Sequence, residues 1–303
     1  MATLPALHLG APLQLGPLTV FPIWTDAPLG PRSYRTTLPA AGGVKEQEGG
    51  PSVESLTVTN PGATPVLLLE GALLEGGWQH RVLANSVLIG ARDRQEVEVR
   101  CVERNRWGGE RGHSVGSHRA PLAVRGALRG LRADAPPTQR EYERRADQSD
   151  VWRRVNRYEQ SHGASATSSL VDVHRHTEPQ FAELLQGIRP LPAQRGLLIG
   201  VGGHPVLLEV FDHPDTLAEH WEAILSSLAL DATMVPAAET PGHRARAFVR
   251  RACATQLSEQ GPAGAGVEIG GTDQHLVSVR GIMADRLLHA AVVNVRHDLV
   301  LAA

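Results

Sequence analysis

The side chains of this 303-residue chain best suited to chemistry are concentrated in two short runs. In LEGALLEGGWQHRVLANSVLIG, residues 69–90, the polar groups Glu70, Glu75, Gln79, His80, Arg81 and Asn85 interrupt apolar strand-like stretches. Strands alternate faces, so polar groups at such positions either meet solvent or line a site. Gly76 and Gly77 read as a turn or as a place where backbone approaches a ligand closely. Arg81 supplies a planar fork suited to phosphate or carboxylate. In CVERNRW, residues 101–107, Cys101 is a nucleophile if Arg100 or Arg104 lowers its pKa, and Glu103 is placed for proton transfer. A strand cysteine beside Val99 and Val102 reads equally as a small buried hydrophobe. Trp107 with Arg104 and Arg106 makes a stacking and anion-binding lip, or closes a sheet end.

A third pattern is VDVHRH, where Asp172, His174 and His176 alternate and share one face of a strand, a spacing that metal sites use. The spacing identifies no fourth ligand. The arginines at 140, 144, 145, 153, 154 and 157 interleave with acids as on a solvated helix face, which argues against nucleic-acid binding. No GxxxxGK[ST], HExxH, CxxC or GxSxG signature is present, and no motif calls for a cofactor.

These residues are positioned by strands first and helices later. Leu18–Trp24 reads as a strand that Pro22 pushes toward a sheet edge. The stretch 27–51, rich in Gly, Pro and charge, reads as a surface excursion. Strands follow at 55–59, 66–74, 82–89 and 97–102, with turns at Asn60-Pro61-Gly62 and 91–95. Residues 104–139 carry Arg, Gly, Ser and His without periodicity and read as exposed loop. Spacings of three and four predict an amphipathic helix over 139–161 and a shorter one over 181–188. Strands at 196–201 and 206–211 form a hairpin around Gly202-Gly203. Thr216 and Glu219 make a capping box for a helix to Leu228. A helix over 243–258 and strands over 274–280 and 287–295 complete the chain. The expected fold is α+β: a β-rich antiparallel, sandwich-like portion (9–104), a loop-rich connection (105–138) and a mixed portion (139–298), packed as one compact unit.

Composition sets outer limits. With 42% hydrophobic residues the chain buries a sizeable core, and a net charge of −2 provides no global field toward nucleic acid or anionic membrane. No apolar run approaches a bilayer span, and the N-terminus lacks a basic leader region, so the expectation is a cytoplasmic protein with free thiols at Cys101 and Cys253.

The runs LLLEGALLEGGWQHRVLANSVLIG and VEVRCVERNRW resemble the core of the bacterial domain family named for its association with ADP-ribosylglycohydrolases and rhodanese-phosphatases. DQSDVW, QRGLLIGVGGHPVLLEVFD and LLHAAVVN are similar too, so the likeness runs from about Leu9 to Val295. The matching positions are Glu70, Gly71, Gly77, Gln79, Arg81, Asn85, Cys101, Glu103, Trp107, Gln148 and Trp152. The chain departs from that family's pattern with Gly77-Trp78 where a small residue and a lysine are expected, and with His80 for an asparagine. The resemblance implies a nucleotide-like, ADP-ribose-derived ligand in a stress or conflict system. On that reading Arg81 and Arg104 anchor anions, Glu70, Gln79 and Asn85 orient the ligand, and Glu103 or Cys101 reacts. The alternatives are a non-catalytic interaction module, as a homodimer or scaffold, and a metal-dependent hydrolase using Asp172, His174 and His176.

Overall fold

A computed structural model describes residues 2–48, 50, 52–131 and 147–301. Three N-terminal strands, β1 (Leu7–Leu9), β2 (Leu13–Leu15) and β3 (Leu18–Thr25), precede a strand-rich segment. That segment contains β4 (Gly43–Lys45), β5 (Ser55–Asn60), β6 (Val66–Leu68), β7 (Ala72–Gly76), β8 (Arg81–Leu83), β9 (Val87–Ile89), β10 (Asp93–Cys101) and β11 (Gly112–Arg119). Helices α1 (Leu122–Leu128), α2 (Gln148–His162) and α3 (Leu170–Leu185) follow, then the hairpin β12 (Gly196–Val201) and β13 (His204–Phe211). The chain continues through α4 (Pro214–Ala232), α5 (Gly242–Ala254), β14 (Ser258–Ala263), β15 (Gly266–Thr272), β16 (Val277–Met283), β17 (Leu287–Asn294) and α6 (Asp298–Leu301). The α+β class is as expected.

Strands from both ends of the chain share one antiparallel sheet, in the order β1-β3-β12-β13-β17-β16-β15-β14, with β2 also on β3. Residues on β12 and β13 alternate between two cores. Leu197, Ile199, Leu207 and Phe211 join the helical layer, where α4 packs, while Leu198, Leu208 and Val210 pack with Phe248 and Ala252 of α5. Burial on both faces explains why LLIGV and VLLEVF are continuous apolar runs. Their turn holds Gly202 and Gly203 at φ +57° and +81°, the geometry of a tight primed hairpin.

The second unit is a closed barrel, β10-β5-β4-β11-β7-β8, with its own core around Val44, Leu56, Val58, Leu74, Leu83 and Val99. The antiparallel layer expected of the β-rich portion therefore closes on itself, which removes its edges. β6 and β9 pair separately.

Several expectations are corrected. Pro22 lies inside the large sheet, because its carbonyl accepts from the Gly10 amide where the chain passes between β1 and β2 and the missing donor falls at that interruption. Residues 105–138 contain β11 and α1, so they are not simply exposed loop. VDVHRH is helical, and α3 begins at Leu170 with Ser169 as its cap. Helix α4 begins at Pro214, and the imidazole of His213 accepts from the Asp215 amide. Thr216 and Glu219 are engaged elsewhere, with Tyr34 and with Arg32 and Thr36. The predicted helix over 139–161 is present from Gln148, and its first residues lie outside those described. Arg154 is buried rather than solvated, donating to the carbonyls of Ala123, Leu131 and Val300. Among the described residues no helix is long and apolar enough to cross a membrane.

Candidate functional site

The glycine turn between β7 and β8 sets the first cluster. Gly77 has φ +60°, and a Cβ there would lie 2.0 Å from Nε2 of His113, so the close approach that needs glycine is to a side chain of β11. Arg106 clamps this turn by donating to the carbonyls of Gly77 (2.6 Å) and Gly76 (3.1 Å), and it forks onto Glu103 at 2.9 and 2.7 Å. Glu103 also accepts from the His80 amide at 2.9 Å. Burial pushes the Glu103 carboxyl up, but Arg106 and the His80 amide together hold it below the usual range.

Inside the barrel, Cys101, Gln79 and Arg81 are fully buried and bonded to one another. The thiol donates to Oε1 of Gln79 at 3.1 Å, and Arg81 donates to the same oxygen at 3.2 Å. Burial raises the thiol to about 11, so it is protonated at neutral pH and disfavoured as a nucleophile. Arg81 lies 3.7 Å from Glu46, which also pairs with His113 at 3.1 Å. Gln148 works as a piece of strand backbone, accepting from the Cys101 amide and donating to the Cys101 carbonyl at 2.8 Å each, which docks α2 on β10. The Arg104 guanidinium sits 5.6 Å from the Trp152 ring centre, whereas Trp107 is 58% exposed. Asn85 donates to Glu98 and accepts from Arg280.

Glu70 belongs to a second cluster, where β7, α1, β13 and β17 meet. It accepts from Arg129 at 3.0 and 2.8 Å and lies 3.4 Å from Arg125. Arg125 pairs with Glu209 at 2.9 Å, Arg119 reaches Glu209 at 2.8 and 2.6 Å, and His289 lies 3.2 Å from the same carboxylate. All six side chains are buried. Burial alone would raise Glu70, yet Arg129 and Arg125 bring it down to about 2. Three guanidiniums thus face two carboxylates. The surplus charge shows at Arg119, whose Nη2 has no partner and whose pKa burial and Arg125 lower to about 10.

Both clusters back onto one cleft. A cavity of about 730 Å³ lies between β11, the 36–43 segment and α4, lined by Thr36, Ser114, Ser117, His118, Arg119 and His220 among others, with His113 also at its wall. A chamber of about 270 Å³ shares Ser117, His118, Glu219 and Ala223 with it and extends along α3 past His174, Phe181 and Leu185. The His118 and His174 rings stack with centres 5.0 Å apart. Nδ1 of His118 and Nε2 of His174 and His220 are buried without a hydrogen-bond partner. Burial, with His118 beside it, lowers His174 to about 3, and burial with Arg119 nearby lowers His220 to about 4. Both rings are neutral at physiological pH, each with one donor and one acceptor.

The structure brings Cys101, Gln79 and Arg81 together, and separately Gly77 with Glu103, but as mutually bonded groups rather than around a vacancy. Asp172, His174 and His176 do not converge. A helix turns 100° per residue, so His174 points inward while His176 is exposed and Asp172 lies 3.5 Å from Arg175. Among the described residues, no three His, Cys, Asp or Glu side chains lie close enough together to hold a metal ion. The cleft residues His113, His118, Arg119 and His220 were not singled out by sequence. The signal available was the two-residue period of His113, Val115, Ser117 and Arg119, weakened by the glycine and serine between them.

A family model described as the ARG and Rhodanese-Phosphatase-superfamily-associated Protein domain, ARPP-1, matches residues 6–293. The chain belongs to the ARPP-1 domain family. Its ARPP-1 domain takes in the large sheet, the barrel and both walls of the cleft. By its name the family is associated with ADP-ribosylglycohydrolase and rhodanese-phosphatase proteins. No curated protein and no solved structure matches the chain.

Proposed function

We propose that this ARPP-1 domain binds a phosphate-bearing, nucleotide-like small molecule in the cleft between β11 and α4. The observation that carries this reading is Arg119. Its guanidinium is buried at the cleft wall, belongs to a cluster with one more cation than anion, and keeps an unpartnered N–H. An unpaired buried donor of this kind costs free energy that an anionic oxygen recovers. Neutral histidines and the Ser117 hydroxyl provide directional contacts that fix a ligand's orientation, while the hydroxyls of Thr36 and Ser114 already donate to Glu219 and to the Glu75 carbonyl. The cavity volume falls within the usual range for small-molecule sites. The family's association with ADP-ribosylglycohydrolases makes ADP-ribose the first ligand to try, in keeping with a role in a stress or conflict system.

The test is isothermal titration of the folded protein with ADP-ribose, pyrophosphate and adenosine, repeated on Ser117→Glu. Ser117 is exposed at the mouth, so the substitution adds negative charge without disturbing the core. Binding of the two phosphate compounds, weakened about tenfold or more in the variant, is the expected result; tenfold corresponds to about 1.4 kcal/mol. Equal binding by wild type and variant would place the anion elsewhere.

A second reading, a non-catalytic interaction module, is favoured by one observation: Gln79, Arg81, Cys101, Glu103 and Gln148 bond to one another and to backbone. Their role on this reading is to hold the barrel and dock α2. Absence of any phosphate binding would leave this reading standing.

A further inference from the structure

We infer that the smaller chamber is a base subsite and takes an aminopurine ring, so that the ligand is an aminopurine nucleotide with its phosphates toward Arg119. This rests on the phosphate-binding reading above and extends it by naming the base and the residues that select it. The two chambers share Ser117, His118, Glu219 and Ala223, so one molecule can occupy both. Their chemistry differs, since the Glu219 carboxylate they share is already bonded to Arg32 and Thr36. Arg119 and hydroxyls line the large chamber, whereas the small one has a buried apolar floor of Phe181 and Leu185 and carboxylates at Glu178 and Glu222. Those carboxylates repel a phosphate, which fixes the ligand's direction, and they accept hydrogen bonds from N–H donors.

At about 270 Å³ the small chamber lies just below the range of whole-ligand pockets, a size for one ring system. The stacked His118 and His174 rings stand at the junction, tilted 27° from each other, and offer an aromatic face to a flat heterocycle. His174 is buried, lines the chamber and keeps an unpartnered Nε2, an atom able to pair with a ring nitrogen or an exocyclic amine. A flat ring that carries an amine satisfies the apolar floor, the aromatic face and the acidic rim together.

The experiment compares three ligands by isothermal titration: pyrophosphate, ADP, and IDP, in which an oxo group replaces the exocyclic amine. ADP is expected to bind at least about tenfold more tightly than either of the others. Glu178 and Glu222 are exposed, so Glu178→Gln with Glu222→Gln leaves the fold intact. That double variant is expected to bring ADP to the affinity of IDP while pyrophosphate is unchanged. Ala182→Trp, at an exposed position of the chamber wall, is expected to erase the advantage of ADP over pyrophosphate. Equal affinity for all three ligands, or an ADP preference untouched by these variants, overturns the base subsite and leaves the phosphate reading standing. Failure of all three to bind overturns both.

Discussion

His174 and His220 set the electrostatic character of the cleft. Burial removes each imidazolium's hydration, and the neighbouring His118 and Arg119 add like-charge repulsion, so the free rings titrate at about 3 and about 4. An anion bound beside Arg119 lies in the chamber that His220 lines, favours the charged His220 ring, raises its pKa and draws a proton from solution. Affinity must then rise as pH falls, because the bound state holds more protons than the free state. A pyrophosphate diester such as ADP-ribose keeps its own charge between about pH 8 and pH 5.5. Its dissociation constant is therefore expected to fall about threefold across that interval, with net proton uptake detected by titration in two buffers of different ionisation enthalpy. A flat profile would mean that the anion sits away from the His220 ring. Cys101 behaves oppositely: its thiol, raised to about 11, stays protonated throughout and contributes nothing to this dependence.

The β7–β8 turn joins the barrel motif to the cleft, because the His113 ring that lines the cavity packs against Gly77. Gly77→Ala meets both a φ of +60° and a ring atom 2.0 Å away, so it is expected to cost about 2–3 kcal/mol, read as a lower urea midpoint. Gly163→Ala is the control. Its φ is +104° with no neighbouring atom within 4 Å, so only backbone strain applies, and about 1 kcal/mol is expected. Comparable losses in the two would deny the His113 contact its role. Elements whose hydropathy follows their geometry were legible in sequence: the hairpin around Gly202-Gly203, the strand at Ser55 and the turn that Asn60 closes onto Gly62. Those that were not carry buried charge or a polar cleft face. Helix α1 is buried throughout, yet Arg125, and Arg129 at its cap, read as surface. Strand β11 turns Ser114, Ser117 and two histidines toward a cavity, so its period was diluted. VDVHRH alternates like a strand, but Ser169 caps a helix there and only His174 needs to face inward. The residues of the shared motif stood out in sequence as polar groups among apolar neighbours, and in the structure they bond to one another. Their pairing with one another was not legible, because the partners Glu46, His113 and Gln148 lie in separate stretches of sequence.

Strands from residues 7 to 294 share one sheet, and buried charges tie that sheet to the barrel and helices, so the pH response of those charges bears on the whole molecule. Glu70, held at about 2 against an ordinary 4.5, and Glu209, held well below its ordinary value, contribute stability that is present above pH 4.5 and lost as pH falls toward 2. For Glu70 alone the contribution is about 3 kcal/mol. His174 and His220 act in the same direction over a higher window. The unfolded chain protonates them near 6.5 while the folded chain resists until about 4 and 3, so stability declines from pH 6.5 downward. Asp231 on α4 opposes this. Burial pushes it up to about 6, against hydrogen bonds from Tyr158 and the Leu122 and Ala123 amides, so its contribution declines as pH rises from about 4 to 6. Near pH 5 two histidines outweigh one aspartate, and unfolding takes up protons. The expected outcome is a urea midpoint that begins to fall below about pH 6.5 and falls more steeply in Asp231→Asn, where the opposing group is gone. A midpoint constant down to pH 4.5 would show that these histidines are not buried as neutral rings, and would remove the basis for the cleft's preference for anions at low pH.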